Sequence, residues 1–186
     1  MADNIQKSDQ PVEIEGKWHL SRDMGRENLK VDLEKAGAVF QSSGYELDCF
    51  FDDKNNELRN NKVSIRLRSK TEEEPRTILT YKGKPVYTSG LKERVELEVY
   101  IDNIHIMKQI FYELGFSITL EYKKYRDTWS LLGTVVTIDD LPCGLFCEIE
   151  GNREAVRRVA KVLGLTLDQV ELRGYPELMR DYLGLS

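Results

Sequence analysis

The chain has 186 residues, 40% hydrophobic and 32% charged, enough for one buried core and too few for two full domains. Lysine and arginine number 27 against 32 acidic residues, a net charge of −5, so no basic excess recommends nucleic acid as a partner. The apolar runs fall far short of the ~20 residues that cross a bilayer, and residues 1–10 are polar rather than signal-like. The expectation is a cytoplasmic protein that engages neither membrane nor nucleic acid. Its three cysteines, Cys49, Cys143 and Cys147, cannot all pair and lack zinc-ribbon spacing, so they read as reduced packing residues.

Residues 1–11 read as a disordered tail ahead of a single domain over 12–186. The stretch 12–20 alternates strictly, with Glu13, Glu15 and Lys17 on one face and Val12, Ile14, Trp18 and Leu20 on the other. Asp23 is expected to cap a helix reaching about Ala36, with Leu29 and Leu33 on its buried side and Gly37 ending it. Strands follow at about 45–51, 63–70, 76–82 and 92–101. Polar turns at 53–61 and 71–75 separate them, with a longer mobile connection at 83–90 placed to cover a site. Asp102 is expected to cap a second helix, whose Ile106, Ile110, Phe111 and Leu114 form a core stripe before Gly115. Three more strands fall at 117–129, 134–139 and 145–150. A helix from Asn152 or Arg153 follows, with Val156, Val159, Ala160 and Leu163 at helical spacing, and a short one spans 176–183 with Pro176 in its first turn. Many antiparallel strands with helices outside them predict an α+β domain built on a barrel.

The parity of the charges carries the functional argument. Val63, Ile65 and Leu67 point one way, so Ser64, Arg66, Arg68 and Lys70 point the other. Arg94, Glu96 and Glu98 share one face, Lys124 and Arg126 are two apart, Glu148 and Glu150 likewise, and Lys82 and Asp139 stand at strand ends. On one strand such a face is simply solvated. On many strands of a closing sheet the charged faces converge inward. Desolvated charges are costly unless they pair or bind ions, so the pattern argues for a ligand. The cations Lys17, Arg66, Arg68, Lys82, Arg94, Lys124 and Arg126 suit the oxygens of a polyanion, phosphate above all. The carboxylates Glu13, Glu15, Glu96, Glu98, Asp139, Glu148 and Glu150 are the hard oxygen ligands that Mg²⁺ or Mn²⁺ requires.

At these residues the chain resembles the CYTH superfamily, the triphosphate tunnel metalloenzymes, which includes class IV adenylyl cyclases, thiamine triphosphatases and inorganic triphosphatases. The opening Glu-x-Glu-x-Lys pattern stands at Glu13, Glu15 and Lys17. It is followed in order by Arg66 and Arg68, by Lys82 and Gly83, by Arg94, Glu96 and Glu98, by Lys124 and Arg126, by Asp139, and by Glu148 and Glu150. The resemblance implies an eight-stranded antiparallel tunnel with helices outside. It implies that Glu13, Glu15, Glu148 and Glu150 hold the metal with Asp139 nearby, and that Lys17, Arg66, Arg68, Lys82, Lys124 and Arg126 hold the triphosphate. Arg94 is placed with the phosphate-binding set, and Glu96 and Glu98 either support the metal or pair with basic neighbours. Lys17 and Glu148 are the expected catalytic residues.

The leading expectation is hydrolysis of a triphosphate, whether inorganic tripolyphosphate, thiamine triphosphate or a nucleoside triphosphate, by a monomer or homodimer. Phosphoryl transfer asks for positioning and charge stabilisation, so no nucleophilic serine or cysteine is assigned. The alternative is a class IV cyclase forming cyclic AMP and pyrophosphate from ATP. Residues 144–151 resemble that branch, but Lys7 and Ser8 stand where its members carry His-Phe. A third reading is a non-catalytic polyphosphate or nucleotide binder. His19 shares the parity of Lys17 and belongs at the tunnel edge or in solvent; His105 reads as a helix-surface residue.

Overall fold

Alternating apolar and charged positions fold here into one antiparallel sheet that closes on itself. The computed structural model describes residues 11–21, 25–71 and 76–185. Its strands are β1 (Val12–His19), β2 (Val39–Asp52), β3 (Ser64–Thr71), β4 (Arg76–Lys82), β5 (Val86–Thr88), β6 (Leu91–Ile101), β7 (Ser117–Leu131), β8 (Thr134–Leu141) and β9 (Gly144–Glu150). The helices are α1 (Arg26–Lys35), α2 (Glu57–Asn60), α3 (Ile104–Glu113), α4 (Arg153–Val162) and α5 (Tyr175–Leu183). The strand order is β1-β9-β8-β7-β2-β3-β4-β6, and β1 closes the ring by pairing with β6 through residues 12–15 and with β9 through residues 15–19. The result is the expected eight-stranded antiparallel barrel, with the three-residue β5 added beside β6. Closure leaves the barrel strands without free edges and sends alternate side chains inward.

The outward apolar faces are covered by helices. Trp18, Ile138 and Ile149 pack with Leu29 and Leu33 of α1 and with Val156, Val159 and Ala160 of α4. On the opposite wall, Cys49, Phe51 and Leu67 pack with Phe111 of α3. A third cluster lies inside the barrel. Phe50, Leu120, Tyr122, Leu141 and Phe146 share the inward parity of their strands and pack with Tyr175, Leu178 and Met179 of α5, filling one end.

Several sequence expectations are corrected. β2 begins at Val39, six residues before the alternation suggests, because Ser42, Ser43 and Gly44 hide the pattern and a register shift between Phe40 and Ser42 breaks it. The turn at 53–61 contains α2, whose amides at Leu58 and Arg59 are held by the Asp52 carboxylate. The connection at 83–90 contains β5 and is laddered to β6. Asn103, not Asp102, caps α3, its Oδ1 accepting from the amides of His105 and Ile106 at 3.0 and 3.1 Å. The stripe read as core on α3 is rotated: Ile104, Met107 and Phe111 pack inward, whereas Ile106, Ile110 and Leu114 are exposed. α1 starts after Gly25 without a side-chain cap, and Asp23 lies outside the described residues, as do 1–10 of the expected tail. The three cysteines are free, and Cys49 and Cys147 are buried as expected. Among the described residues no helix is long and apolar enough to cross a membrane.

Gly16 separates the two inward charges Glu15 and Lys17 and faces outward beneath the Trp18 ring. A Cβ there would lie 2.5 Å from Trp18 Cη2. The ring cannot retreat freely, since it is buried and its Nε1 donates to the carbonyl of Thr166 at 2.8 Å. Gly16→Ala is therefore expected to cost about 2 kcal/mol by overpacking, read as a lower urea midpoint with an unchanged slope.

Candidate active site

The inward faces enclose a cavity of about 550 Å³. It is lined by the cations Lys17, Arg66, Arg68, Lys70, Lys82, Lys92, Arg94, Lys124 and Arg126, and by the carboxylates Glu13, Glu15, Glu96, Glu98, Glu148 and Glu150. Every residue expected to hold metal or triphosphate is on this lining except Asp139, which lies directly behind it. Strand register brings opposite charges face to face. Lys17 stands opposite Glu148, Arg94 opposite Glu13, Lys92 opposite Glu15, Lys82 opposite Glu96, and Arg126 opposite Asp139.

The carboxylates fall into two groups. Glu46, Asp48 and Asp139 are fully or almost fully buried behind the cations of β3 and β7. Asp48 receives Arg68 through two bonds of 2.6 and 2.8 Å. Asp139 receives Arg126 through bonds of 2.6 and 2.5 Å, the Tyr175 hydroxyl at 2.7 Å, and stands 3.3 Å from Lys124 Nζ. Both Asp139 oxygens are thus engaged, and its visible work is to aim Arg126 and Lys124 at the cavity. The second group faces the cavity. Lys82 bridges Glu13 and Glu96 at 3.2 and 2.6 Å, Lys92 pairs with Glu15, and Arg66 reaches Thr80 at 2.9 Å and Glu98 at 3.4 Å. Lys17 Nζ sits 3.3 Å from Glu148, donates to the Arg173 carbonyl at 3.1 Å and lies 4.2 Å from the centre of the Tyr175 ring. The other Glu148 oxygen accepts from Arg126 at 2.8 Å.

The electrostatics separate the same groups. Burial alone would raise Asp48, but Arg68 and Arg66 bring it down to about 2. Asp139 and Glu46 are likewise held low against burial by Arg126, Arg68 and Lys124. Facing the cavity, Glu150 is pushed up to about 7 by burial and by Glu13 and Glu96, and Glu13 is raised by burial and Glu15. Burial and the neighbouring Arg126 lower Lys124 to about 8. Its Nζ is buried without an aligned hydrogen-bond partner, 3.3 Å from Glu46 and from Asp139.

Glu13 and Glu150 are both raised, by burial and by carboxylates nearby, although Lys82 and Arg94 stand 3.2 and 3.1 Å from Glu13. Hard oxygen donors in that condition suit a divalent cation of the Mg²⁺ or Mn²⁺ kind. Among the described residues no group of three His, Cys, Asp or Glu side chains is placed to hold a metal ion by itself.

Sequence reasoning missed Glu46, Asp48, Lys92, Thr80, Tyr122 and Tyr175 as parts of the site. Glu46, Asp48 and Lys92 carry the same two-residue spacing as their assigned neighbours, so parity contained the signal. Tyr175 arrives from a helix distant in sequence, and no local pattern announces it. His19 is exposed, stacks on Phe146 at 4.9 Å between ring centres and does not line the cavity; His105 is exposed on α3.

A closed antiparallel barrel whose site is its own charged interior is the class that fold and cavity define. The chain belongs to the CYTH domain family, whose model matches residues 12–178. An adenylate cyclase-named protein of Methanocaldococcus jannaschii is 29% identical over 178 residues, covering 90% of this chain and 98% of that one. A protein of Pyrococcus horikoshii shares the fold with a TM-score of 0.76 and 25% identity, covering 89% of this chain and 98% of its own. An adenylyl cyclase-named protein from Hippeastrum, described as having a dominant triphosphatase activity, superposes with a TM-score of 0.64 at 17% identity, covering 92% and 96%.

Asp48 supplies a stability test. Its carboxyl is depressed in the folded state, so its contribution is present above the ordinary value of 3.8 and disappears as pH falls through about 2. Asp48→Asn leaves Arg68 buried without its bidentate partner and is expected to cost about 3 kcal/mol at neutral pH in chemical denaturation. The variant should also lose less stability than the parent between about pH 4 and pH 2.

Proposed function

We propose that this protein is a divalent-metal-dependent hydrolase of a triphosphate bound in the barrel. The observation that carries the reading is the two-signed cavity wall: cations backed by buried acids, and facing them a set of glutamates of which Glu13 and Glu150 are raised. Arg66, Arg68, Lys124 and Arg126 bind and orient the phosphates, with Lys82 and Arg94 completing the cationic lining. Glu13, Glu15, Glu148 and Glu150, supported by Glu96 and Glu98, are the residues that would hold Mg²⁺ or Mn²⁺. A bound ion of that kind would neutralise charge on the phosphate oxygens and make water a better nucleophile. Glu148, steadied by Arg126, accepts the proton of the attacking water, Lys17 beside it stabilises charge on the transferred phosphoryl group, and the cationic lining beyond stabilises the departing diphosphate. Tyr175 and the filled end of the barrel keep bulk water from this corner.

A cyclase reading retains the same site and gains support from the adenylate cyclase-named relative. Product identification separates the two. With Mg²⁺ or Mn²⁺, inorganic tripolyphosphate is expected to release phosphate faster than ATP yields cyclic AMP; a dominant cyclic AMP product overturns hydrolysis. Glu148→Gln is expected to abolish turnover with the fold intact by circular dichroism, and retained activity removes Glu148 from the mechanism. Triphosphate binding without turnover under either metal leaves only a binding protein.

Lys124 gives a pH dependence. Its ammonium loses the proton as pH rises through about 8, removing one positive charge from the phosphate wall. Tripolyphosphate affinity, measured by calorimetry in chelator, is expected to weaken about tenfold, or 1.4 kcal/mol, between pH 7 and pH 9. Lys124→Met should flatten that profile.

A further inference from the structure

We propose that Glu46 is a built-in counter-anion of the phosphate-binding wall: it gathers four cations in the ligand-free protein and competes with bound phosphate for them, favouring product release. The inference rests on the reading of the barrel as a polyanion site. It concerns a residue whose charge sign would otherwise be out of place there.

Glu46 lies on β2 between Lys70 on β3 and Lys124 on β7. Its Oε2 is 3.0 Å from Arg68 Nη1, 3.3 Å from Lys124 Nζ and 3.8 Å from Arg126 Nε, and its Oε1 is 3.4 Å from Lys70 Nζ. Four cations therefore converge on one carboxylate that is only 4% exposed. All four also line the cavity, whereas Glu46 itself does not.

The manner of contact sets Glu46 apart from its acidic neighbours. Asp48 and Asp139 each take one arginine through two aligned bonds, which fixes that arginine's orientation. Glu46 Oε2 is buried and makes no aligned hydrogen bond, and the same is true of Lys124 Nζ. Charge alone couples Glu46 Oε2 to these cations, without directional bonding, and a phosphate on their cavity side offers that charge equally well. Two anions on opposite sides of one cation cluster weaken each other's hold, because each has already neutralised what attracts the other.

A thermodynamic consequence follows. Asp48 and Asp139 offset part of the mutual repulsion of the four cations, and without ligand Glu46 offsets much of the rest; with a polyphosphate bound, the ligand performs the task of Glu46. Removing the Glu46 charge must then destabilise the free protein more than the bound one, which is the same statement as tighter binding. In turnover the native carboxylate weakens the grip on the diphosphate product and hastens its departure.

The test is Glu46→Gln, which keeps shape and removes charge. Titration calorimetry with tripolyphosphate and with diphosphate, in chelator at about pH 6.5 where Lys124 stays protonated, is expected to give about tenfold tighter binding than the parent for both. The variant should melt lower than the parent without ligand and recover most of the deficit with tripolyphosphate. Adding Lys70→Gln should also restore thermal stability by removing one of the repelling cations, which a purely packing role for Glu46 does not predict. Unchanged or weaker polyphosphate binding by the variant, while the parent binds, overturns the counter-anion and leaves the tunnel reading standing. A parent that binds no polyphosphate overturns both. A Glu46→Gln protein that stays unfolded in tripolyphosphate and is not rescued by Lys70→Gln also overturns it.

Discussion

Charge balance inside a closed barrel is the constraint on which this molecule depends. Most inward lysines and arginines have left water, and each has a carboxylate within ion-pair reach, on the next strand or, for Arg66, on β6 beyond β4. Among the described residues, the cations on the cavity wall and the carboxylates on or behind it offset one another. A balanced cavity has no large surplus with which to attract a highly charged anion. An anion entering such a cavity binds well only if it brings positive charge with it or displaces a wall carboxylate from its partner.

The two layers of acid divide the labour. Asp48 and Asp139 spend both oxygens on arginines and convert flexible side chains into fixed donors, so little ordering remains for the moment of binding. Glu13 and Glu150 are raised by burial and by carboxylates nearby, although Lys82 and Arg94 stand beside Glu13. Outside, helices α1, α3 and α4 supply the apolar packing that a barrel with a charged interior cannot obtain from its own centre.

The charged interior was legible because strand periodicity is two: Glu13, Lys17, Arg66, Arg68, Lys124 and Glu148 reach one cavity as alternation requires. Partnership was not legible, since it depends on register. Nothing local says that Arg126 faces Asp139, or that Asp139 therefore sits behind the wall. Glu46 and Asp48 share a strand face with Phe50, and that mixture of charged and apolar residues concealed their membership in the charged set. The reach of Tyr175 into the site and the filling of one barrel end by α5 arise from packing between segments far apart in the chain. The rotation of α3, which buries Met107 and exposes Ile110, was likewise set by the wall it covers and not by its own composition.

The apolar plug formed by Phe50, Leu120, Tyr122, Leu141 and Phe146 with α5 makes the barrel a blind alley. Whatever enters the cavity by the other end must leave along the route by which it came. Traffic in such a dead-end corridor is single file, so the next molecule waits for the last one to clear.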